Sequence, residues 1–255
     1  MSLTELAAKA ETLRALHKPG APLLLANVWD VASARMVAEL GAPAIATSSS
    51  AVALAFGERD ADCMPPDVAF GVVERVARNV DLPVTADLEA GYQLAPAELV
   101  RRMLAAGAVG LNFEDSDYHS GHGGVVEVER QAERVAAIRA AAKAAGVPIV
   151  INARVDIYVR HIGEGEAQQA EGVRRGRAYL EAGADCVYPI FIDGEQTIGD
   201  FVQRVGGSVN VNYRATGLTV AQLAKLKVAR ISMAGGLFRM GLNGAKSAAE
   251  AFLKG

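Results

Sequence analysis

Much of what would mark a specialised class is missing from this chain. It has two cysteines, Cys63 and Cys186, distant in sequence and in no metal-ligand spacing. That argues against a disulfide scaffold and makes a reducing, cytoplasmic setting the default expectation. Aromatic residues are 5% of the total, too few for a platform that stacks bases. The basic residues are scattered and the net charge is -3, so there is no footprint for a phosphate backbone and no nucleic-acid partner is expected. No apolar run free of charge reaches the roughly 18 residues of a membrane span. The N-terminal MSLTELAAKAETLRALHK reads as an amphipathic helix over residues 1–18, with no continuous apolar core or small-residue cleavage site of a secretory signal. No Pro/Gly/Ser-rich linker or shift of composition divides the chain, which reads as one domain over residues 1–255. Lysine is absent from Pro19 through Ala142.

What is present is ordinary globular composition, 51% hydrophobic and 22% charged over 255 residues, arranged in a repeating rhythm. Short aliphatic runs alternate with longer stretches of helical periodicity. The expected strands are Leu23–Trp29, Ala44–Ser48, Val84–Leu88, Gly110–Glu114, Ile149–Val155, Cys186–Ile190, Val209–Tyr213 and Ala229–Met233. The expected helices include Val31–Leu40, Pro66–Asn79, Ala95–Ala106, Glu127–Ala145, Glu166–Ala182 and Val220–Leu226, with a C-terminal helix over 237–253. The strings AAGAVGLNF, AAGVPIVIN and EAGADCVYP each read as a glycine-capped helix end feeding a buried parallel strand. Eight such units in this length predict an α/β fold, the (β/α)₈ TIM barrel. An open doubly wound sheet is the alternative, but its first turn would be glycine-rich, and NVWDVAS contains no glycine.

A barrel keeps its chemistry at the C-terminal ends of its strands. Polar residues collect there: Asn27, Thr47 to Ser50, Asp87 and Glu89, Asn112 and Glu114, Asn152 and Arg154, Asn210 and Asn212. Alternation would set Asp87 and Glu89 on one face of the third strand, with Glu114 across from them. Carboxylates converging without lysine neighbours repel unless a cation offsets them or one binds a proton. Oxygen-only donors suit a hard ion, Mg²⁺ with Mn²⁺ as the alternative; an ordinary hydrogen-bonded acid cluster is the other reading. Arg154 could fork a substrate carboxylate or simply neutralise the acids. The loop Ser116–Gly124, with glycines as hinges and Tyr118, His119 and His122 as chemistry, is a candidate lid, or else a surface loop. His17 and His161 read as surface or helix-end residues, and both cysteines as structural.

TSSSAVALAFGERD, TADLEAGY, LNFED and NARVD, in this order and spacing, resemble the isocitrate lyase / phosphoenolpyruvate mutase superfamily from about Leu24 to Arg239. The resemblance is greatest to the branch of lyase-like and carboxyphosphonoenolpyruvate phosphonomutase-like members. It implies a barrel whose C-terminal helix is exchanged between subunits of a homo-oligomer, a dimer or tetramer, and Mg²⁺ chemistry on a small carboxylate. Asp87 would bind the metal directly, with Glu89, Glu114 and Asp60 holding it largely through water. Ser48 and the Ser49 N–H would hold the substrate carboxylate, with Arg154 on the same carboxylate or the keto side. Asp60, Asn112, Asn210 and Asn212 complete the expected substrate-binding set. The implied reaction cleaves the bond at C3 of a 2-oxo- or 2-hydroxy-acid through a metal-stabilised enolate.

The departures from the family pattern bear on that reaction. Isocitrate and methylisocitrate lyases carry K-[KR]-C-G-H after the fourth strand, with cysteine as general acid. The loop here is SDYHSGHGG: Gly121-His122 matches, but Ser120 stands where the cysteine would be. Arg154, His122 and Ser120 are therefore the expected catalytic positions, with His122 the expected acid. The sixth strand ends in Pro189-Ile190, where phosphonomutases carry a histidine. A C–C lyase is the leading reading. A 2-oxoacid decarboxylase, a P–C bond enzyme and a 2-oxoacid binder with weak turnover remain alternatives. A phosphate-binding barrel, suggested by Gly235-Gly236, lacks a strand-end lysine for Schiff-base chemistry.

Overall fold

A computed structural model describes residues 1–121 and 123–255. Among these residues, eight parallel strands close a barrel: β1 (Leu23–Leu25), β2 (Ile45–Ala46), β3 (Val84–Asp87), β4 (Gly110–Glu114), β5 (Val150–Val155), β6 (Cys186–Pro189), β7 (Asn210–Asn212) and β8 (Arg230–Ser232). One arc runs β2-β3-β4-β5-β6 and the other β1-β8-β7. Parallel bridges Val28–Thr47 and Val187–Val209 join the arcs, so the strands follow the circle in chain order.

The connecting helices are α1 (Leu3–Ala15), α2 (Val31–Glu39), α3 (Ser49–Phe56), α4 (Pro66–Ala77), α5 (Pro96–Ala105), α6 (Val128–Ala144), α7 (Gly165–Glu181), α8 (Glu195–Val205), α9 (Val220–Lys225) and α10 (Gly236–Leu253). Their starts follow local chemistry. Asp30 caps α2 by accepting the Ser33 N–H at 2.7 Å. Pro66 and Pro96 begin α4 and α5, where a missing N–H costs nothing.

Alternation along each strand sends Val84, Leu111, Ile151, Val187, Val211 and Ile231 outward against the helices, where all are buried. The register aligns Asp87, Asn112, Asn152 and Cys186 across β3 to β6, and Leu23, Arg230 and Asn210 across β1, β8 and β7. The lumen is therefore polar, where most barrels fill it with branched aliphatics.

Helix α1 seals the floor. Leu6, Ala10 and Leu13 are buried, and a Cβ on Gly110 would stand 2.8 Å from Leu13 Cδ2, so only glycine lets β4 pass there. Arg14 pairs with Asp185 and donates to the Pro148 carbonyl at 2.7 Å. His17, expected at the surface, is half-buried beside this floor. Burial, with the Arg230 and Arg14 charges, lowers its imidazole pKa to about 4.

Two helices go beyond the sequence reading. The serine run after β2 is not a loose strand end: Ser48 becomes the N-cap of α3, accepting the Ala51 N–H at 3.3 Å. Helix α8 lies between β6 and β7 and buries Ile198, Phe201 and Val205. The end of β3 also differs. The strand stops at Asp87, and Glu89 sits beyond it at φ 49°, so strand alternation does not bring the two carboxyls to one face. The turn leaves them close enough for the Asp87 charge to act on Glu89.

Candidate active site

At the C-terminal mouth, Asp87 is held from two sides. Its Oδ2 accepts the Ser49 N–H and the Ser49 Oγ–H, both at 2.9 Å, and its Oδ1 accepts Asn112 Nδ2 at 3.1 Å. Its own N–H donates to Thr47 Oγ1 at 2.9 Å. Helix α3 thus starts on this carboxylate, which complements the positive end of the helix.

Around it stand further acids. Glu89 is buried and accepts the Asp62 N–H. Burial, reinforced by the charges of Asp60, Asp87 and Asp62, pushes its carboxyl pKa up to about 8 against that hydrogen bond. Glu114 is fully buried, and burial drives its pKa upward although Arg154 pulls the other way. Its Oε1 accepts the Tyr118 hydroxyl. Its Oε2 lies 2.6 Å from Arg154 Nη2 but has no aligned hydrogen bond. Asp60 lies at the open mouth; crowding by protein and by Asp87 raises its pKa too.

A cavity of about 710 Å³ opens over these groups. Ser49, Asp60, Asp87, Tyr118, Arg154 and Arg160 are among its lining residues. A larger cleft of about 810 Å³ lies among α1, α4, α5 and α6. It touches no strand-end acid, so the smaller cavity is the functional candidate.

The expected site residues divide by depth. Ser49, Asp60, Asp87 and Arg154 reach the cavity wall. Ser48 is buried and spends its hydroxyl on the α3 cap. Asn112, Asn210 and Asn212 lie in the lumen beneath the cavity, buried among neighbouring strands. Ser120 is exposed on the lid, where its N–H donates to Asp117 Oδ1 at 3.0 Å. His122 lies outside the described residues.

The two ends of the loop expected to act as a lid are zipped together by the Ser116–Val125 bridge and an Asp117 N–H to Gly124 O bond at 2.9 Å. Between them Tyr118 turns inward, while His119 turns away and meets Asp62 Oδ2 at 2.9 Å. Cys63, Arg160 and Arg239 are among the cavity-wall residues that escaped the sequence reading. Cys63, read as structural, is exposed there. Arg160 rests over the Tyr118 ring at 4.8 Å, and Arg239 comes from the start of α10. Arg160 lies six residues beyond Arg154 on a short helical turn, a spacing that was legible; the position of Cys63 depended on a loop fold that was not.

The sequence model of the phosphoenolpyruvate phosphomutase family matches residues 13–253. The chain belongs to that family. With it comes membership of the isocitrate lyase / phosphoenolpyruvate mutase superfamily, whose members are enzymes. A provisionally assigned phosphonomutase of Burkholderia cenocepacia J2315 superposes with a TM-score of 0.90 at 37% identity, over 96% of this chain and 99% of that one. A phosphonopyruvate hydrolase in complex with oxalate and Mg²⁺ superposes with a TM-score of 0.86 at 25% identity, over 96% and 87%. The 2-methylisocitrate lyase of Bacillus subtilis is 26% identical over 77% of this chain and 64% of its own. The match to the family spans β1 through α10 and so includes every strand end of the polar mouth described above.

Proposed function

We propose that this chain is a Mg²⁺-dependent lyase that cleaves a C–C bond of a small 2-oxo- or 2-hydroxy-carboxylic acid. The observation that carries the reading is Asp87. It reaches the cavity wall among acids that burial and mutual repulsion push toward protonation. A divalent cation relieves such a cluster. The donor set is oxygen only, as a hard ion prefers, and Glu114 Oε2 has no hydrogen bond to satisfy it. Asp87 is the proposed direct ligand, with Asp60, Glu89 and Glu114 acting through water. Mn²⁺ would fit the same donors.

An ion held by these residues would supply Lewis acidity toward a 2-oxo- or 2-hydroxy-acid. The rest belongs to the chain. The Ser49 N–H, expected on the substrate carboxylate, is spent together with the Ser49 hydroxyl on Asp87 Oδ2, so Ser49 is proposed instead to orient that metal ligand at the positive end of α3. Arg154 is held by Asp156, leaving its charge fixed at the cavity wall for the substrate carboxylate or the keto oxygen. Tyr118 and the lid cover the cavity and exclude water. Breaking the bond at C3 leaves an enolate on one fragment and a carbonyl on the other, whose hydroxyl proton passes to solvent; the enolate takes a proton before release, with His122 the proposed donor.

A 2-oxoacid decarboxylase is the second reading. It is favoured by His119, whose ring turns toward Asp62 and is not on the cavity wall; an enolate formed by loss of CO₂ can take its proton from solvent. The test is a panel of 2-oxo- and 2-hydroxy di- and tricarboxylates with and without Mg²⁺, with product analysis. A carbonyl fragment without CO₂ supports the lyase, CO₂ the decarboxylase, and inorganic phosphate from a phosphonate the P–C reading.

We further propose a homo-oligomer, a dimer or tetramer, joined through α10. In the monomer this helix buries only Phe238, which packs edge-on against Trp29 at 5.0 Å. It leaves Met240, Leu242, Phe252 and Leu253 between 53% and 85% exposed, an apolar face that a second subunit would cover. Light scattering at micromolar concentration checks it; a monomer would reject it. Among the described residues no helix is long and apolar enough to cross a membrane, and the proposed setting is the cytoplasm.

A further inference from the structure

Arg230, the first residue of β8, has its whole side chain inside the barrel lumen with no exposed surface. Among the described residues no carboxylate pairs with it. Its Nη2 donates to Asn112 Oδ1 at 3.1 Å, while Nε and Nη1 have no partner. A guanidinium buried in this way costs stability, so packing alone does not explain an arginine there.

Its one hydrogen bond leads toward Asp87. Asn112 Oδ1 accepts from Arg230 on β8 and from Asn152 Nδ2 on β5 at 2.8 Å. Two donors on that oxygen leave the amide nitrogen on the other side, where it donates to Asp87 Oδ1 at 3.1 Å. A flipped amide would set oxygen against the Asp87 carboxylate and N–H groups against two donors. The strands β8 and β4 lie on opposite sides of the barrel, so only a long side chain spans the lumen between them. Arginine does so with a donor that stays charged at any working pH.

We propose that Arg230 is a positioning residue for the proposed metal ligand: acting through Asn112, it fixes the rotation of the Asp87 carboxylate beneath the cation. This rests on the reading of Asp87 as the direct cation ligand. Partners that orient a ligand in this way typically govern metal affinity ten- to a hundredfold.

The test is Mn²⁺ titration of the purified full chain by calorimetry, with the electron paramagnetic resonance spectrum of the bound ion recorded. Wild type, Arg230→Met, Asn112→Ala and the double variant are compared, each with a melting curve. Each single change should weaken Mn²⁺ binding by about tenfold or more and broaden the bound-ion spectrum. The double should bind no more weakly than the weaker single, because one relay is cut twice. Should Arg230→Met not fold, Arg230→Gln takes its place with the same expectation. Its side chain ends near the arginine Nε position and falls short of Asn112. Wild-type affinity and spectrum in the Arg230 variant, or losses that multiply in the double, overturn the inference and leave the cation reading standing. Absence of Mn²⁺ binding by the wild-type chain overturns both.

Discussion

Arg154 grips Asp156 at two points, Nε to Oδ1 at 2.6 Å and Nη2 to Oδ2 at 2.7 Å, and the same Nη2 lies 2.6 Å from Glu114 Oε2. One guanidinium therefore serves two buried carboxylates while facing the cavity. Neither role foreseen for Arg154, neutraliser of the acids or fork for a substrate, excludes the other. Arg154→Ala would strand two buried charges, a change that typically costs about 3–5 kcal/mol. Urea denaturation is expected to show that loss, and thermal shift with a 2-oxoacid should show no ligand stabilisation. A variant as stable as wild type would contradict this pairing.

Glu89 makes the apo protein sensitive to alkali. Its carboxyl pKa is raised to about 8 in the folded chain from an ordinary 4.5, so the folded state holds a proton that the unfolded state releases. Stability from this group is complete below about pH 4.5 and is lost as pH rises toward 8. With divalent cations removed, Glu89→Gln should equal wild type near pH 5 and exceed it at pH 8 in denaturant melts. Mg²⁺ should narrow the gap at pH 8. A difference between the proteins that does not change with pH would contradict the burial of this acid.

The eight strands were legible because parallel strands covered by helices must be apolar outward, and glycine-capped helix ends precede several of them. Helix α8 carried a signal as well: Ile198, Phe201 and Val205 fall at helical spacing and are its buried residues. The site was legible as a list of residue types at strand ends, but not in depth. Whether a polar residue faces the cavity, as Ser49 does, or caps a helix beneath it, as Ser48 does, depends on where β2 stops. The left-handed backbone at Glu89 leaves no mark in a non-glycine residue. Nor does ARISM reveal that Arg230 points across the lumen to Asn112; that contact joins residues 118 apart in the chain.

The lid decides the proton. If His122 donates it, His122→Ala should lower turnover by about 10²-fold or more with 2-oxoacid affinity nearly unchanged. Ser120→Cys should raise trace cleavage of isocitrate or methylisocitrate. Steady-state kinetics on both variants checks this. Wild-type turnover in the first and no gain in the second would move the proton source away from this loop and toward solvent.

The carboxylate pocket is predicted to depend on the start of α3. Ser48→Ala removes the cap and should cost about 1 kcal/mol of stability, while weakening 2-oxoacid binding by loosening Ser49, which holds Asp87. Calorimetric binding alongside a denaturant melt separates the two effects; unchanged affinity with reduced stability would confine Ser48 to capping.

Asp87 is proposed to hold the catalytic divalent cation. Calorimetric titration of Mg²⁺ into wild type and Asp87→Ala tests it most directly. The substitution relieves repulsion among the acids but leaves the Ser49 and Asn112 donors without their acceptor, so a melting curve separates lost folding from lost binding. A single site is expected in the wild-type chain and none in the variant. Equal Mg²⁺ affinity in the two proteins would contradict that assignment.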